Sequence, residues 1–238
     1  RGGLPGHAEM AGKSLFFKYN TGPSGHGAAA AAGQALALRI AGHSGVRVFV
    51  VEGEGGLTPG IVQETMNSAW GLGLANLYLL VDWNDFGIDG FPVSRVVHGS
   101  PAGWFGARGW RVVGTERGME WGAVDATLQE LVAAEAASLL PNAAWFRTRK
   151  GRGYGVHDAA SHGTPHAMNS PLFWEGRREF AARYGITFVG DGEPAPAGEE
   201  AQREQTRQNL ARVFSLFDER PDLAEYTAER LLELAAQV

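Results

Sequence analysis

Two short segments of this chain end in residues that could hold a metal ion and an anion together. One reads Val51-Glu52-Gly53-Glu54-Gly55-Gly56, the other Val81-Asp82-Trp83-Asn84-Asp85-Phe86. Each closes an apolar run of strand type, so Glu54 and Asn84 are expected at C-terminal strand tips. A carboxylate, an amide oxygen and a backbone carbonyl suit a hard cation such as Mg²⁺ or Ca²⁺. Mg²⁺ held by so few protein groups completes its shell with phosphate oxygens and water. The glycines around Glu54 let backbone N–H groups approach an anion, which makes a metal-bridged diphosphate the natural occupant. Alone, Glu54 would read as a solvated turn carboxylate. Asn84, with 28 residues between it and Gly55, turns the reading toward a metal ligand.

These tips need a framework. Residues 46–51, 76–82, 110–113 and 144–148 read as short buried strands. Helical patterns cover 25–40, 60–71, 121–140 and 171–184, the first rich in alanine and leucine. In the second, Val62, Met66, Ala69 and Trp70 share one face. Strand–helix alternation predicts an α/β fold with a central, mainly parallel sheet flanked by helices. In such sheets ligands sit at the C-terminal strand ends. Residues 191–238 read differently. An exposed linker over 190–198 leads into an acidic helical tail, with Leu210, Val213, Phe214 and Phe217 at helical spacing. From Glu199 onward the chain carries nine Asp/Glu and five Arg, most of its net charge of −5. The division expected is therefore 1–190 for the binding domain and 191–238 for the tail.

With 238 residues, 44% of them hydrophobic, the chain can bury a sizeable core, which excludes a disordered tail. Its 34 glycines are about twice the usual share but not periodic, so collagen is excluded. No cysteine is present, which removes disulfides, thiolate metal sites and cysteine nucleophiles. There is no dense basic run, so nucleic acid is not the expected partner. No apolar stretch is long enough to span a membrane, and a cytoplasmic protein is expected. The chain opens Arg1-Gly2-Gly3-Leu4 without a Met, as though entered part-way.

The motifs, taken in order, resemble the transketolase family of thiamine diphosphate enzymes. Gly53-Glu54-Gly55 followed by Asn84 resembles its Gly-Asp-Gly…Asn metal motif. Pro5-Gly6-His7-Ala8-Glu9 is similar to its Pro-Gly-His-Pro-Glu loop, and residues 21–27, Thr-Gly-Pro-Ser-Gly-His-Gly, to its Thr-Gly-Pro-Leu-Gly-Gln-Gly loop. Gly60 and Glu64 resemble a helix start in the family. Lys150-Gly151-Arg152-Gly153-Tyr154 and the His-Gly-Thr-Pro of 162–165 resemble a later segment, and Ile88-Asp89-Gly90 also matches. The resemblance spans 5–190 and is to the diphosphate-binding half.

That resemblance implies a thiamine diphosphate-binding fold, with thiamine diphosphate and Mg²⁺ (or Ca²⁺) as cofactors. Glu54 and Asn84 would bind the cation, with the Phe86 carbonyl as a third ligand. Gly53 and Gly55 would face the diphosphate. Gly22 and Ser24 would reach the aminopyrimidine end through backbone groups. His7 and His162 would line the channel near the thiazolium as the catalytic histidines. Glu64 would lie at a subunit interface. It also implies two-carbon ketol transfer between sugar phosphates in a homodimer or heterotetramer. The departures are Glu54 where the family has Asp, Pro59 where it has Glu, and Ser24 and His26 where it has Leu and Gln. The family's activating glutamate lies on a pyrimidine-binding domain, and nothing after residue 190 reads as one, so that domain or subunit is an expected partner. Deoxyxylulose-phosphate synthase, a 2-oxo-acid dehydrogenase E1, a non-catalytic scaffold of the same fold and another phosphate-binding α/β protein stay open as alternatives. A second Gly-Asp-Gly at 190–192 reads as linker, and a cluster of His157, His162 and His166 has no carboxylate to support it.

Overall fold

The structure is a computed structural model that describes residues 22, 24–133, 138–163 and 165–236. The chain divides into two compact units. One takes the described residues up to Lys150 together with Asp158–His162; the other takes Gly151–His157 and Gly163 onward.

The first unit is built on four parallel strands. They are β1 (Val48–Gly53), β2 (Leu77–Trp83), β3 (Arg111–Thr115) and β4 (Asn142–Arg147), in the spatial order β1-β2-β4-β3. Helix α1 (His26–Ile40) precedes β1, α2 (Gly60–Gly71) joins β1 to β2, α3 (Pro101–Gly106) precedes β3, and α4 (Trp121–Val132) joins β3 to β4. The period-2 alternation of β2 shows how the layers are set. Leu77, Leu79, Val81 and Trp83 face a core with Ala28, Ala31 and Ala35 of α1, Val62, Met66 and Ala69 of α2, and Phe105 of α3. Tyr78 and Leu80 face the opposite side with Val113, Ala144 and Leu131 of α4. The small alanines of α1 fall at i, i+3 and i+7, which lets that helix lie close to the sheet.

Three expectations shift. In β1, Val48 is buried but Val51 is 72% exposed, because β1 is the sheet edge and one of its faces lacks a covering layer among the described residues. Trp70, read as part of the buried stripe of α2, is 54% exposed, and Thr65 takes a buried place there instead. The indole of Trp70 lies beside Gly109, where an added Cβ would come within 2.5 Å of it. Helix α4 ends at Val132, well short of residue 140.

The second unit holds α5 (Pro171–Tyr184), α6 (Glu199–Glu219) and α7 (Pro221–Ala235). Residues 163–190, grouped from sequence with the body, cluster here. The cause is a set of polar ties to α6. The Asn209 amide accepts from Val189 N at 2.7 Å and donates to Val189 O at 3.1 Å, and Gln205 donates to Asn169 at 2.8 Å. The stripe of Leu210, Phe214 and Phe217 is exposed, each at 46–57%. No helix among the described residues is long and apolar enough to cross a membrane.

At the C-terminal edge of the sheet, Trp83 and Trp145 meet edge to face with ring centroids 5.3 Å apart. Gly114 permits this, since a Cβ there would come within 2.1–2.3 Å of the Trp145 indole. Gly114→Ala is expected to cost about 1–3 kcal/mol by overpacking, read as a lower urea midpoint.

Candidate metal and diphosphate site

Because the strands are parallel, the C-terminal tips of β1, β2 and β4 open on one edge. Glu54 starts a short 3₁₀ turn directly after β1. Its side chain is 1% exposed, and Oε2 accepts the Asn84 N–H from the tip of β2 at 3.2 Å. Oε1 is buried with no hydrogen-bond partner among the described residues. Burial pushes the carboxyl above its ordinary value; backbone N–H groups, including those of Asn84 and Asp85, pull it back only in part, and the charge of Asp82 adds a smaller push upward. A cation would supply the partner that the buried, unmatched oxygen lacks, so the residues present fit a divalent ion. A cluster of three or more His, Cys, Asp or Glu is absent among the described residues. A cation here would thus rely on amide, carbonyl and phosphate oxygens.

Asn84 is held on both ends. Its Nδ2 donates to Asp82 Oδ2 at 3.2 Å, and its Oδ1 accepts the Phe86 N–H at 3.0 Å. Asp82 is itself tied to the Thr148 hydroxyl beyond β4. The loop after Asn84 is closed by Asp85, which adopts φ 72 although it is not glycine. Its carboxylate accepts from Ser94 N and Ser94 Oγ, both at 2.8 Å, and its carbonyl accepts from Val93 N at 2.8 Å. Phe86 and Pro92 form a bridge inside this loop. Phe86 is thereby held two residues from Asn84. Asp85→Ala is expected to remove both clamp bonds while keeping the strained φ, and to lower the melting temperature more than Asp85→Gly.

Other parts converge on these tips. Lys150, just beyond β4, donates to the Gly87 carbonyl and lies 3.5 Å from His162 Nδ1. This brings exposed His162 to the Asn84–Gly87 loop. Glu52 accepts the Gly25 N–H at 3.0 Å, anchoring the entry to α1. Gly25 has φ 83, and a Cβ there would meet Gly56 O at 2.7 Å. At Gly56 a Cβ would strike the Glu52 carboxylate at 2.1 Å. A cavity of about 290 Å³ opens beside Glu54, lined also by Trp83, Asp85, Ser94, Trp104 and Arg147.

Of the residues singled out from sequence, Gly53, Glu54, Gly55, Asn84, Phe86 and His162 lie on this edge of the sheet. Gly55 faces Gly87 across the gap, with a virtual Cβ 3.9 Å from its Cα. Gly22 and Ser24 are exposed in the segment leading to α1. Glu64 is exposed, away from the buried face of α2. His7, with Pro5, Gly6, Thr21 and Pro23, lies outside the described residues. His157 and His166 each spend a ring nitrogen on a loop carbonyl, Gly151 O at 3.2 Å and Tyr154 O at 2.6 Å. The sequence reading did not single out Asp82, Asp85, Arg147 or Gly56. Lys150 had a signal in the Lys-Gly-x-Gly run; Asp85 had only its place after Asn84.

Residues 2–188 match the family described as transketolase, thiamine diphosphate binding domain. This chain belongs to the transketolase family. It is 31% identical to the chromosomal transketolase of Cupriavidus necator, over 95% of this chain and 34% of that protein. With the transketolase of Streptococcus pyogenes serotype M6 it shares 29% identity, over 98% of this chain and 33% of the relative. The chain thus spans about a third of the length of these curated relatives. Among solved structures, transketolase from Campylobacter jejuni superposes with a TM-score of 0.58 at 23% identity, covering 90% of this chain and 33% of that one. Transketolase from Leishmania mexicana gives 0.57 at 24% identity, covering 91% and 32%. The transketolase thiamine diphosphate-binding fold accounts for the parallel sheet flanked by helices.

The raised pKa of Glu54 has a stability consequence in the metal-free transketolase domain. The folded state holds this proton more tightly than the unfolded chain. Its contribution is complete below the ordinary carboxylate value of 4.5 and is lost as pH rises through the raised value. The melting temperature should therefore fall on going from mildly acid to mildly alkaline buffer. Glu54→Gln should flatten that fall and cancel any rise produced by Mg²⁺. Thermal melts with and without Mg²⁺ measure both effects, at roughly 2–4 °C per kcal/mol for a chain of this size.

Proposed function

We propose that this chain is the diphosphate- and metal-binding half of an enzyme that moves a two-carbon ketol unit from a ketose phosphate to an aldose phosphate. The observation that carries the reading is the buried, unpartnered Oε1 of Glu54 beside the tip of the adjacent strand. Glu54, Asn84 and the Phe86 carbonyl would hold Mg²⁺. Gly53 and Gly55 would let the backbone approach the diphosphate, and Gly22 and Ser24 would meet the aminopyrimidine end. His162, and His7 with it, would contact substrate hydroxyls or the diphosphate as the channel histidines. Bound thiamine diphosphate would supply the carbanion chemistry, and the protein would bind and orient it.

On this reading residues 1–190 are the functional half and 191–238 an acidic connector. A pyrimidine-binding domain, on a separate subunit or in the rest of a longer chain, completes the site, in a homodimer or heterotetramer. That the chain spans about a third of the length of its relatives supports the need for a completing domain. The expected outcome is ketol transfer with thiamine diphosphate and Mg²⁺ only when such a domain is added, lost at least a hundredfold on Glu54→Ala. Robust turnover by the chain alone would refute the need for a partner. Calorimetry showing no thiamine diphosphate binding by the assembled complex, and no effect of Glu54→Ala, would make it a non-catalytic scaffold. Turnover with pyruvate as the donor would place it instead with the deoxyxylulose-phosphate synthases or the 2-oxo-acid dehydrogenases.

A further inference from the structure

Arg147 is the last residue of β4 and stands in register with Trp83 at the end of β2. Its guanidinium carbon lies 4.7 Å from the centroid of the Trp83 ring, and the residue is half-buried. It lines the same cavity as Glu54. Other cations of this unit are engaged with carbonyls. Arg108 donates to Trp104 O, Arg111 to Leu131 O, and Lys150 to Gly87 O. The Arg147 guanidinium has no polar partner among the described residues. Neither acid of the cavity forms an ion pair with it: Asp85 bonds Ser94 through both oxygens, and Glu54 Oε2 accepts the Asn84 N–H.

Stacking on an indole uses the face of a guanidinium and leaves its N–H donors, which lie in its plane, available. Arg147 is therefore held in place by Trp83 while its fork stays open. The lining of the cavity includes both Glu54 and Arg147. Before a cation arrives, the acidic residues Glu54 and Asp85 outnumber Arg147 along the cavity. After a divalent cation binds, the same walls carry net positive charge.

We infer that Arg147 is the anion-binding arm of this site, donating to a phosphate oxygen of a diphosphate already held by the cation at Glu54. The inference rests on the metal and diphosphate reading above and adds two things to it: a residue, and an order of binding in which the cation comes first. Charge-assisted bonds from an arginine fork to phosphate are among the stronger polar contacts. Their loss corresponds to about a ten- to hundredfold weakening.

The test uses the whole chain, with Mn²⁺ alone and inorganic pyrophosphate as probes. Mn²⁺ binding is read by the loss of its free electron paramagnetic resonance signal. Pyrophosphate binding is read by calorimetry, with and without saturating Mg²⁺. Arg147→Met keeps an apolar stem over Trp83 and removes the donors; it should leave Mn²⁺ affinity unchanged and weaken Mg²⁺-dependent pyrophosphate binding about ten- to hundredfold. Arg147→Lys keeps the charge without the fork and should fall between, which decides the question if the Met variant does not fold. Equal pyrophosphate affinities in all folded forms, with Mn²⁺ binding intact, would overturn the role of Arg147 alone. Pyrophosphate binding that is as tight without Mg²⁺ as with it would overturn the order. Failure of the unaltered chain to bind Mn²⁺ would remove the metal reading and this inference with it.

Discussion

A carboxylate withdrawn from water with one oxygen unmatched costs several kcal/mol unless something answers it. Glu54 is in that position at the tip of β1, and much of the surrounding architecture follows from it. Backbone N–H groups at the neighbouring strand tip, including that of Asn84, reach the carboxyl, yet Oε1 is left without a hydrogen bond among the described residues. Any cation bound there would draw on this incomplete solvation. The arrangement costs stability in the absence of ligand, as strained or unmatched groups at functional sites commonly do.

Around that one unmatched group, the neighbouring carboxylates near the tips are committed. Asp82 is divided between Asn84 and Thr148, Asp85 is doubly bonded to Ser94, and Glu52 holds the Gly25 N–H. These carboxylates act on the backbone and on other side chains. The left-handed backbone at Asp85 belongs to the same economy, since the clamp it forms fixes where the Asn84–Phe86 turn lies.

The strands were legible from sequence to within about two residues, because β-branched apolar runs bounded by glycine have few other uses. The pairing of Glu54 with Asn84 was legible for a related reason: both close such runs, and parallel strands bring like ends together. What was not legible depends on contacts distant in sequence. The open face of β1 follows from its place at the sheet edge, which periodicity does not encode. Helix α3 was missed because six residues starting Pro-Ala-Gly carry almost no helical pattern. The clamp from Asp85 to Ser94, the tie from Thr148 to Asp82 and the stacking of Arg147 on Trp83 all need the sheet order before they can be seen. The second Gly-Asp-Gly is instructive, since Asn209 does approach it, but as a bracket for the Val189 backbone.

The sheet register connects the hydrophobic core to the chemistry of the edge. Gly53 pairs with Asp82, so Glu54 and Asn84 leave their strands nearly level, and Trp83 pairs with Arg147. A slip of one residue moves a strand by about 3.3 Å and turns every side chain to the other face. What prevents it is the alternation of Leu77, Leu79 and Val81, far down the strand from any ligand. The apolar sequence of β2 therefore works as a ruler as well as a core. A change there that kept the buried volume but loosened the pairing would be felt first at the strand tips, where Glu54 and Asn84 would no longer stand level, in a protein still folded.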